Sequence, residues 1–118
     1  MLNRSCSALV IDDSLEQAEC LARLLEAKGH RATFVIHPLD ALDAADAMHP
    51  DIVFIDLDMP QMDGWALARM FRKRFGAVRL AAVTGLEPDR LEGFDACLVK
   101  PIRLDALDKL LDTEAEAF

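Results

Sequence analysis

The sequence lacks the features that define several large classes of protein. Its apolar runs, such as Ile52–Ile55, have the length of strands and are far too short to cross a membrane. No charged segment followed by an apolar stretch opens the chain, so no signal peptide is predicted. Basic residues are few, 13 against 21 acidic ones, and the net charge of −8 argues against non-specific nucleic-acid binding. We expect a cytoplasmic protein that neither inserts into membranes nor binds nucleic acid.

The sequence also lacks the cysteine pattern of a disulfide framework or a zinc site. Its three cysteines are odd in number, and no CxxC pair or neighbouring histidine gives the ligand spacing of zinc. Cys6, Cys20 and Cys97 lie in or beside apolar segments. We therefore expect buried free thiols in a reducing compartment. The one basic cluster, Arg69–Arg74, is expected to be the exposed basic end of a helix, where cations suit the helix dipole.

Short apolar runs alternate with amphipathic segments along the chain, without repeats, low-complexity segments or linkers. With 118 residues, the chain is predicted to form one domain, residues 1–118. Runs that are nearly uninterrupted by polar residues indicate parallel strands buried on both faces. These runs are Ala8–Ile11, Ala32–Ile36, Ile52–Ile55, Leu80–Val83 and Ala96–Val99.

Five helical segments are predicted between and after these strands. The first begins at Ser14, which stands at capping-box spacing from Gln17, and ends at Gly29. The others are predicted from Pro38, over Gly64–Phe75, over Glu87–Phe94, where a proline and a glycine weaken the pattern, and from Leu104. Their inward faces are expected to be Ala18, Leu21, Ala22 and Leu25; Ala41, Leu42, Ala45 and Met48; Leu67, Met70 and Phe71; and Leu107, Leu110 and Leu111.

Five βα units in sequence predict an α/β fold, a parallel sheet with helices on both faces, because crossover connections are right-handed. In such sheets the ligand site lies beyond the carboxyl ends of the strands, where the strand order reverses. The residues that directly follow the apolar runs are therefore the candidates for a functional site.

Charged and hydroxyl side chains follow four of the five runs, and they are Asp12, Asp13, Asp56, Thr84 and Lys100. Taken singly, an aspartate there is often a helix cap and a threonine a turn residue. Three carboxylates in one crevice repel each other unless a cation binds, and hard oxygen ligands suit Mg²⁺. A carboxylate can act as a nucleophile that forms an acyl phosphate, while a metal ion, a lysine and a hydroxyl stabilise the transferred group. The pattern predicts phosphoryl transfer.

Four segments, in this order and spacing, closely resemble the receiver domains of response regulators and hybrid histidine kinases over essentially the whole chain. They are LVIDDS at Leu9–Ser14, DIVFIDLDMPQMDGW at Asp51–Trp65, AAVTG at Ala81–Gly85 and LVKPI at Leu98–Ile102. The resemblance implies a doubly wound, flavodoxin-like sheet of five strands in the order 2-1-3-4-5. It also implies phosphoryl transfer from a histidine kinase or a histidine phosphotransfer protein, with later loss by hydrolysis or relay.

The resemblance implies a role for each residue of the predicted site. Asp56 would be the phosphoacceptor, and Asp13 and Asp56 would ligate Mg²⁺ together with the backbone carbonyl of Asp58. Asp12 would act largely through metal-bound water. Thr84 and Lys100 would contact the phosphoryl group, and Thr84 would shift toward it on activation. Lys100 precedes Pro101, an X–Pro bond whose isomer the sequence leaves open.

Two positions depart from what is usual in this family. Cys97 stands where many receivers have an aromatic residue, and a small thiol cannot fill an aromatic-sized pocket, so we expect a weaker surface change on activation. Asp58 and Leu86 stand two residues after Asp56 and Thr84. We expect both to tune the phosphoryl lifetime, Asp58 through its charge and Leu86 as apolar cover.

Alternative functions fit the sequence less well. Asp56 and Asp58 form the DxD of haloacid-dehalogenase-like phosphatases, but Pro60 breaks that motif and the chain is too short for the later ones. Metal-dependent nucleases do not require Thr84 and Lys100 as placed here. A pseudo-receiver would typically have lost the acceptor, an acid or the lysine. A stand-alone regulator and a hybrid-kinase receiver both stay open, and we expect a monomer that is not an enzyme acting on other substrates.

Overall fold

The computed structural model describes residues 5–88 and 91–117 of the chain. Its elements are β1 Ser7–Ile11, α1 Leu15–Ala27, β2 Arg31–Val35, a 3₁₀ turn at Pro38–Asp40, α2 Ala41–Met48, β3 Ile52–Asp56, α3 Gly64–Arg74, β4 Arg79–Thr84, β5 Ala96–Val99 and α4 Leu104–Ala117. All five predicted strands are present, with bounds that differ by at most one residue at either end. Pro38 begins a 3₁₀ turn that leads into α2 rather than the helix itself. None of the described helices is both long and apolar enough for a bilayer crossing.

The five strands form one parallel sheet in the predicted order, β2-β1-β3-β4-β5. The order reverses between β1 and β3, which lie side by side although β2 separates them in the chain. At the carboxyl edge of the sheet, Ile11 is level with Ile55 and Asp56 with Val83. The residues that follow these strands therefore share one crevice.

Two apolar cores, one on each face of the sheet, hold the helices in place. Phe54 of β3 points toward α1 and α4, where it belongs to the same cluster as Leu21 and Leu107. Ile55, the next residue, points to the other face, into a cluster with Phe71 of α3. All residues of β1 and β3 are buried, as predicted, but β2 and β5 are only partly buried because they form the edges of the sheet.

The prediction of a helix over Glu87–Phe94 is wrong for the described part of this segment. Residues 85–88 and 91–95 form turns and irregular structure, with Pro88 near the start and Gly93 at a φ of 89°. Phe94 instead packs against the core on the α3 side. Four helices rather than five therefore cover the sheet in the residues that the structure describes.

The buried face of α3 differs by one position from the predicted one. Leu67 and Phe71 are buried as expected, but Met70 is 48% exposed and Ala68 is fully buried in its stead. A Cβ atom built on Gly93 would lie 3.9 Å from the Cβ of Ala68. The irregular segment before β5 thus lies close to α3 at the small side chain of Ala68. A methionine at that position would not allow so close an approach.

Half of the predicted capping box at the start of α1 is present. The Ser14 side chain accepts a hydrogen bond from the N–H of Gln17 at 3.3 Å. The N–H of Ser14, however, donates to Oδ1 of Asp12 at 2.9 Å and not to the Gln17 side chain. The start of α1 therefore fixes the position of the Asp12 carboxylate.

The cysteines are all free, as predicted, but they are not all buried. Cys6 is buried, Cys97 is half-buried and Cys20 is exposed on α1. The expectation of buried thiols is therefore wrong for Cys20, because its position on α1 lies outside the stripe that packs on the sheet.

Candidate functional site

Three carboxylates converge where β1 and β3 end. One oxygen atom from each of Asp12, Asp13 and Asp56 lies within 4.8 Å of the others. Asp12 and Asp56 are buried, whereas Asp13 is exposed at the mouth of the crevice. Closely spaced carboxylate oxygens are the donors that a hard divalent cation such as Mg²⁺ takes, and an exposed side leaves room for the water that this ion keeps. The donor set of this crevice fits Mg²⁺.

The carboxylate of Asp12 is buried within this crevice, and its burial changes its pKa. Burial raises the pKa of Asp12 from 3.8 to about 6, and the nearby charge of Asp56 adds to the rise. The hydrogen bond from the N–H of Ser14 works in the opposite direction, because it favours the ionised form. The crevice therefore concentrates negative charge that a cation would neutralise.

Lys100 brings a positive charge to the same site from the end of β5. Its Nζ lies 3.1 Å from Oδ1 of Asp56 and 3.3 Å from Oδ2 of Asp58. Burial disfavours the ammonium form, but the hydrogen bond and the charge of Asp56, the hydrogen bond of Asp58 and the charge of Asp12 raise the pKa of Lys100 above its usual range. The peptide bond to Pro101, left open by the sequence, is cis.

The side chain of Asp58 has contacts that sequence analysis did not predict. Its Oδ1 accepts a hydrogen bond from the Thr84 hydroxyl at 3.1 Å, and its Oδ2 accepts one from the N–H of Gly85 at 2.7 Å. Burial raises the pKa of Asp58, but the hydrogen bonds from Gly85, Lys100 and Thr84 outweigh it, so the pKa lies below its usual value. Asp58 is thus an ionised carboxylate at the ends of β4 and β5.

The turn after β3 brings Asp58 to this position. The N–H of Asp58 donates to Oδ1 of Asp56 at 2.8 Å, and the N–H of Leu57 donates to the carbonyl of Val83 at 2.8 Å. The DxD spacing is the only signal of this arrangement in the sequence, and it does not indicate which way the second carboxylate points.

The structure brings all five predicted side chains together at one edge of the sheet: Asp12, Asp13, Asp56, Thr84 and Lys100. Thr84 is 5% exposed and its backbone carbonyl accepts a hydrogen bond from the N–H of Lys100 at 2.8 Å. Leu86, predicted as apolar cover, is 82% exposed and covers little. Burial and the charge of Glu87 raise the pKa of Cys97, which keeps this thiol protonated.

The chain is similar to known proteins over most of its length. Residues 8–112 match the family model of the response regulator receiver domain. The chain is 32% identical to the sensor histidine kinase RcsC of Escherichia coli K12 over 120 residues, which cover 97% of this chain but only 13% of that protein. It is 33% identical to the transcriptional regulatory protein TcrA of Mycobacterium tuberculosis, with 84% of this chain and 42% of that protein covered.

A solved structure resembles the fold over nearly its full length. The CheY-like response regulator receiver domain from Methylobacillus flagellatus superposes with a TM-score of 0.85 at 32% identity, and the match covers 94% of this chain and 99% of that one. This chain therefore belongs to the response regulator receiver domain family of two-component signalling.

Proposed function

We propose that Asp56 accepts a phosphoryl group from a phosphohistidine of a histidine kinase or a histidine phosphotransfer protein, in a reaction that depends on Mg²⁺. The observation that carries this proposal is the position of the Asp56 carboxylate, between a cluster of acids that fits a cation and the ammonium group of Lys100. The group is later lost to water or relayed to another histidine. Residues 1–118 would act as one receiver domain that is not an enzyme toward other substrates.

In the proposed transfer a carboxylate oxygen of Asp56 attacks phosphorus. The new P–O bond forms as the P–N bond breaks, and the partner's histidine nitrogen keeps the electron pair of that bond. Charge builds up on the equatorial phosphoryl oxygens. Lys100 is kept protonated by its raised pKa, so its fixed charge can stabilise these oxygens together with the Thr84 hydroxyl.

The Mg²⁺ ion would be held by Asp13 and Asp56, by the backbone carbonyl of Asp58, and through water by Asp12. The ion would neutralise the carboxylates and the oxygens of the transferred group. The clustering of these acids supports the assignment. The assignment of the Asp58 carbonyl as a ligand follows from the family resemblance alone.

The partner's histidine must approach a carboxylate that is only 4% exposed. A groove with a volume of about 520 Å³ starts at Asp56 and Lys100 and runs between α1 and the segment after β5. Its walls include the apolar side chains of Leu24 and Ile102. We infer that a kinase or phosphotransfer protein docks along α1 at this groove, and that the receiver itself is a cytoplasmic monomer without nucleic-acid contacts.

The proposal is tested by incubation with acetyl phosphate and Mg²⁺, followed by intact-mass measurement. The unmodified protein should gain one phosphoryl group, and Asp56→Asn should gain none. Asp43→Asn, which removes an exposed carboxylate on α2, is the matched control and should be labelled like the wild type. Removal of Mg²⁺ with EDTA should also prevent labelling. Labelling that persists in Asp56→Asn would refute the proposal, and hydrolysis of simple phosphate esters would favour a phosphatase instead.

A further inference from the structure

The carboxylate of Asp58 occupies a set of donors that is suited to a tetrahedral anion. It accepts from the hydroxyl of Thr84 at 3.1 Å and from the backbone N–H of Gly85 at 2.7 Å, and it lies 3.3 Å from Nζ of Lys100. A hydroxyl, a backbone N–H and an ammonium group are the donors that proteins use to hold phosphoryl oxygens. Two of them, Thr84 and Lys100, are the groups that the proposed function assigns to phosphoryl binding.

The local structure favours this position for Asp58. Gly85 has no side chain, and a Cβ atom there would lie 3.4 Å from Oδ2 of Asp58, at the lower limit of ordinary van der Waals contact. The carboxylate of Asp58 stands apart from the cation cluster, since the described carboxylates that lie close enough to share one ion are those of Asp12, Asp13 and Asp56. Its side chain therefore belongs with the donors at the ends of β4 and β5.

We propose that Asp58 is an internal substitute for the phosphoryl group, which holds Thr84, Gly85 and Lys100 in the unphosphorylated protein and competes with phosphorylation of Asp56. The inference rests on the proposed function of Asp56. The two anions cannot share the site: phosphorylation converts the singly charged Asp56 carboxylate into an acyl phosphate with about two negative charges, whose oxygens would lie beside an ionised carboxylate that already uses the same donors.

Phosphorylation therefore requires the Asp58 side chain to leave its donors. This movement is sterically open, because the Asp58 side chain is 44% exposed and can rotate into water. Two effects follow. The acceptor binds a phosphoryl group less favourably than a site without this acid would, and Thr84 is held by an anion both before and after the reaction. Asp58 thus acts as a positioning residue that reduces the change at Thr84.

The test compares wild-type protein, Asp58→Asn, Asp58→Ala and the control Asp43→Asn by titration with beryllofluoride in the presence of Mg²⁺. Beryllofluoride becomes tetrahedral when it binds a carboxylate oxygen, and it then imitates the phosphoryl group. Trp65, the only tryptophan, lines the same cavity as Asp58 and Thr84 and serves as the fluorescent reporter. Both Asp58 variants should bind beryllofluoride about tenfold more tightly, because Asp58→Asn removes the negative charge and Asp58→Ala removes the whole competing carboxylate. Asp43→Asn should match the wild type.

A second measurement separates competition from a merely structural role. In wild-type protein beryllofluoride replaces the Asp58 carboxylate at the N–H of Gly85. Because one anion takes the place of another, the amide resonance of Gly85 should shift little when beryllofluoride is added. In Asp58→Ala the N–H has no anion until the ligand arrives, so the same addition should shift it strongly. Acetyl phosphate labelling of the Asp58 variants should also be faster than that of the wild type.

The outcomes distinguish this inference from the proposed function. Equal beryllofluoride affinities within twofold, together with equal shifts of the Gly85 amide, would overturn competition by Asp58 and leave Asp56 as the acceptor. Absence of both binding and labelling in all four proteins would contradict the role of Asp56, and the inference would fall with it.

Discussion

Asp12 shows at the scale of one residue how a buried ionisable group can lower the stability of the fold at a site whose acids fit a cation. Its pKa rises from 3.8 in the unfolded chain to about 6 in the fold. The folded protein therefore binds this proton more tightly than the unfolded chain does, so the free energy of unfolding falls as the pH rises from about 4 to about 6. At neutral pH the ionised Asp12 carboxylate is a destabilising group unless a cation binds.

Asp12→Asn should therefore be more stable than the wild type in the absence of Mg²⁺. The amide keeps an oxygen that can accept the N–H of Ser14 and removes the charge, so the gain at pH 7 should be about 1 kcal/mol after allowance for solvent screening. The measurement is urea unfolding at pH 7 and pH 4, in EDTA and in saturating Mg²⁺.

Most of the gain should be lost near pH 4, where Asp12 is protonated in the folded wild type and partly protonated in the unfolded chain. Saturating Mg²⁺ should stabilise the wild type more than the variant, because an ion that binds only the native state adds its binding free energy to folding. A variant that is less stable than the wild type at pH 7 in EDTA would contradict this account of Asp12.

At the scale of elements, the connection between β4 and β5 depends on a side chain of α3. Arg72 donates to the carbonyl of Val78 at 2.7 Å, to the carbonyl of Gly93 at 3.1 Å and to Oδ2 of Asp95 at 2.9 Å. The same oxygen of Asp95 accepts from the N–H of Leu80 at 2.9 Å. These contacts link α3, β4 and the irregular segment before β5, at the place where a helix was predicted.

Arg72→Ala should lower the free energy of unfolding by about 2 kcal/mol, since it removes hydrogen bonds to two carbonyls and a half-buried carboxylate. Arg72→Lys should recover less than half of this loss, because one ammonium group cannot reproduce the fork of the guanidinium group. Lys73→Ala, at the neighbouring exposed cation, is the control and should change stability by less than about 0.5 kcal/mol. Denaturant unfolding measures all three, and full recovery by lysine would show that charge alone matters.

The same elements show how far the sequence predicts this fold and site. Strands such as Ile52–Asp56 are predictable because burial on both faces leaves an uninterrupted apolar run. The acids and Lys100 are predictable because each directly follows such a run, and parallel strands place these ends at one edge. The burial of Met70 and a helix over Glu87–Phe94 were predicted wrongly because they depend on parts of the chain that are distant in sequence. The main ones are the close approach of Ala68 to Gly93 and the hydrogen bond from Arg72 to the Gly93 carbonyl.

The direction of the Asp58 side chain belongs to the same class of unpredictable features. Its donors come from the ends of two other strands, at Thr84 and Gly85 and at Lys100. A local pattern such as DxD contains no information about partners that are 26 and 42 positions away. Such contacts are visible only once the strands are assembled, and they are the ones on which the inference about Asp58 depends.

At the scale of the whole molecule, the two edges of the functional crevice differ in how firmly they are packed. β1 and β3 lie in the middle of the sheet with both faces covered, and they lead to Asp12 and Asp56. β5 has only four residues and one neighbouring strand, Val99 is 43% exposed, and Lys100 follows it directly. Lys100 therefore follows a strand with far less buried surface than the strands that lead to Asp12 and Asp56.

This asymmetry predicts that β5 opens without unfolding of the central strands. Native-state hydrogen exchange, measured residue by residue by NMR, should find amides of β3 such as that of Phe54 exchanging only with global unfolding. Amides of β5 such as that of Val99 should exchange faster through local opening, because edge strands with few buried contacts have low local stability. Mg²⁺ with beryllofluoride should slow exchange in β5 by the same factor as in β3, because the ligand site proposed at Lys100 is lost both when β5 opens and when the whole chain unfolds. Equal protection of Phe54 and Val99 would mean that β5 belongs to the same cooperative unit as the centre of the sheet, and the lysine would then be as rigidly held as the acids.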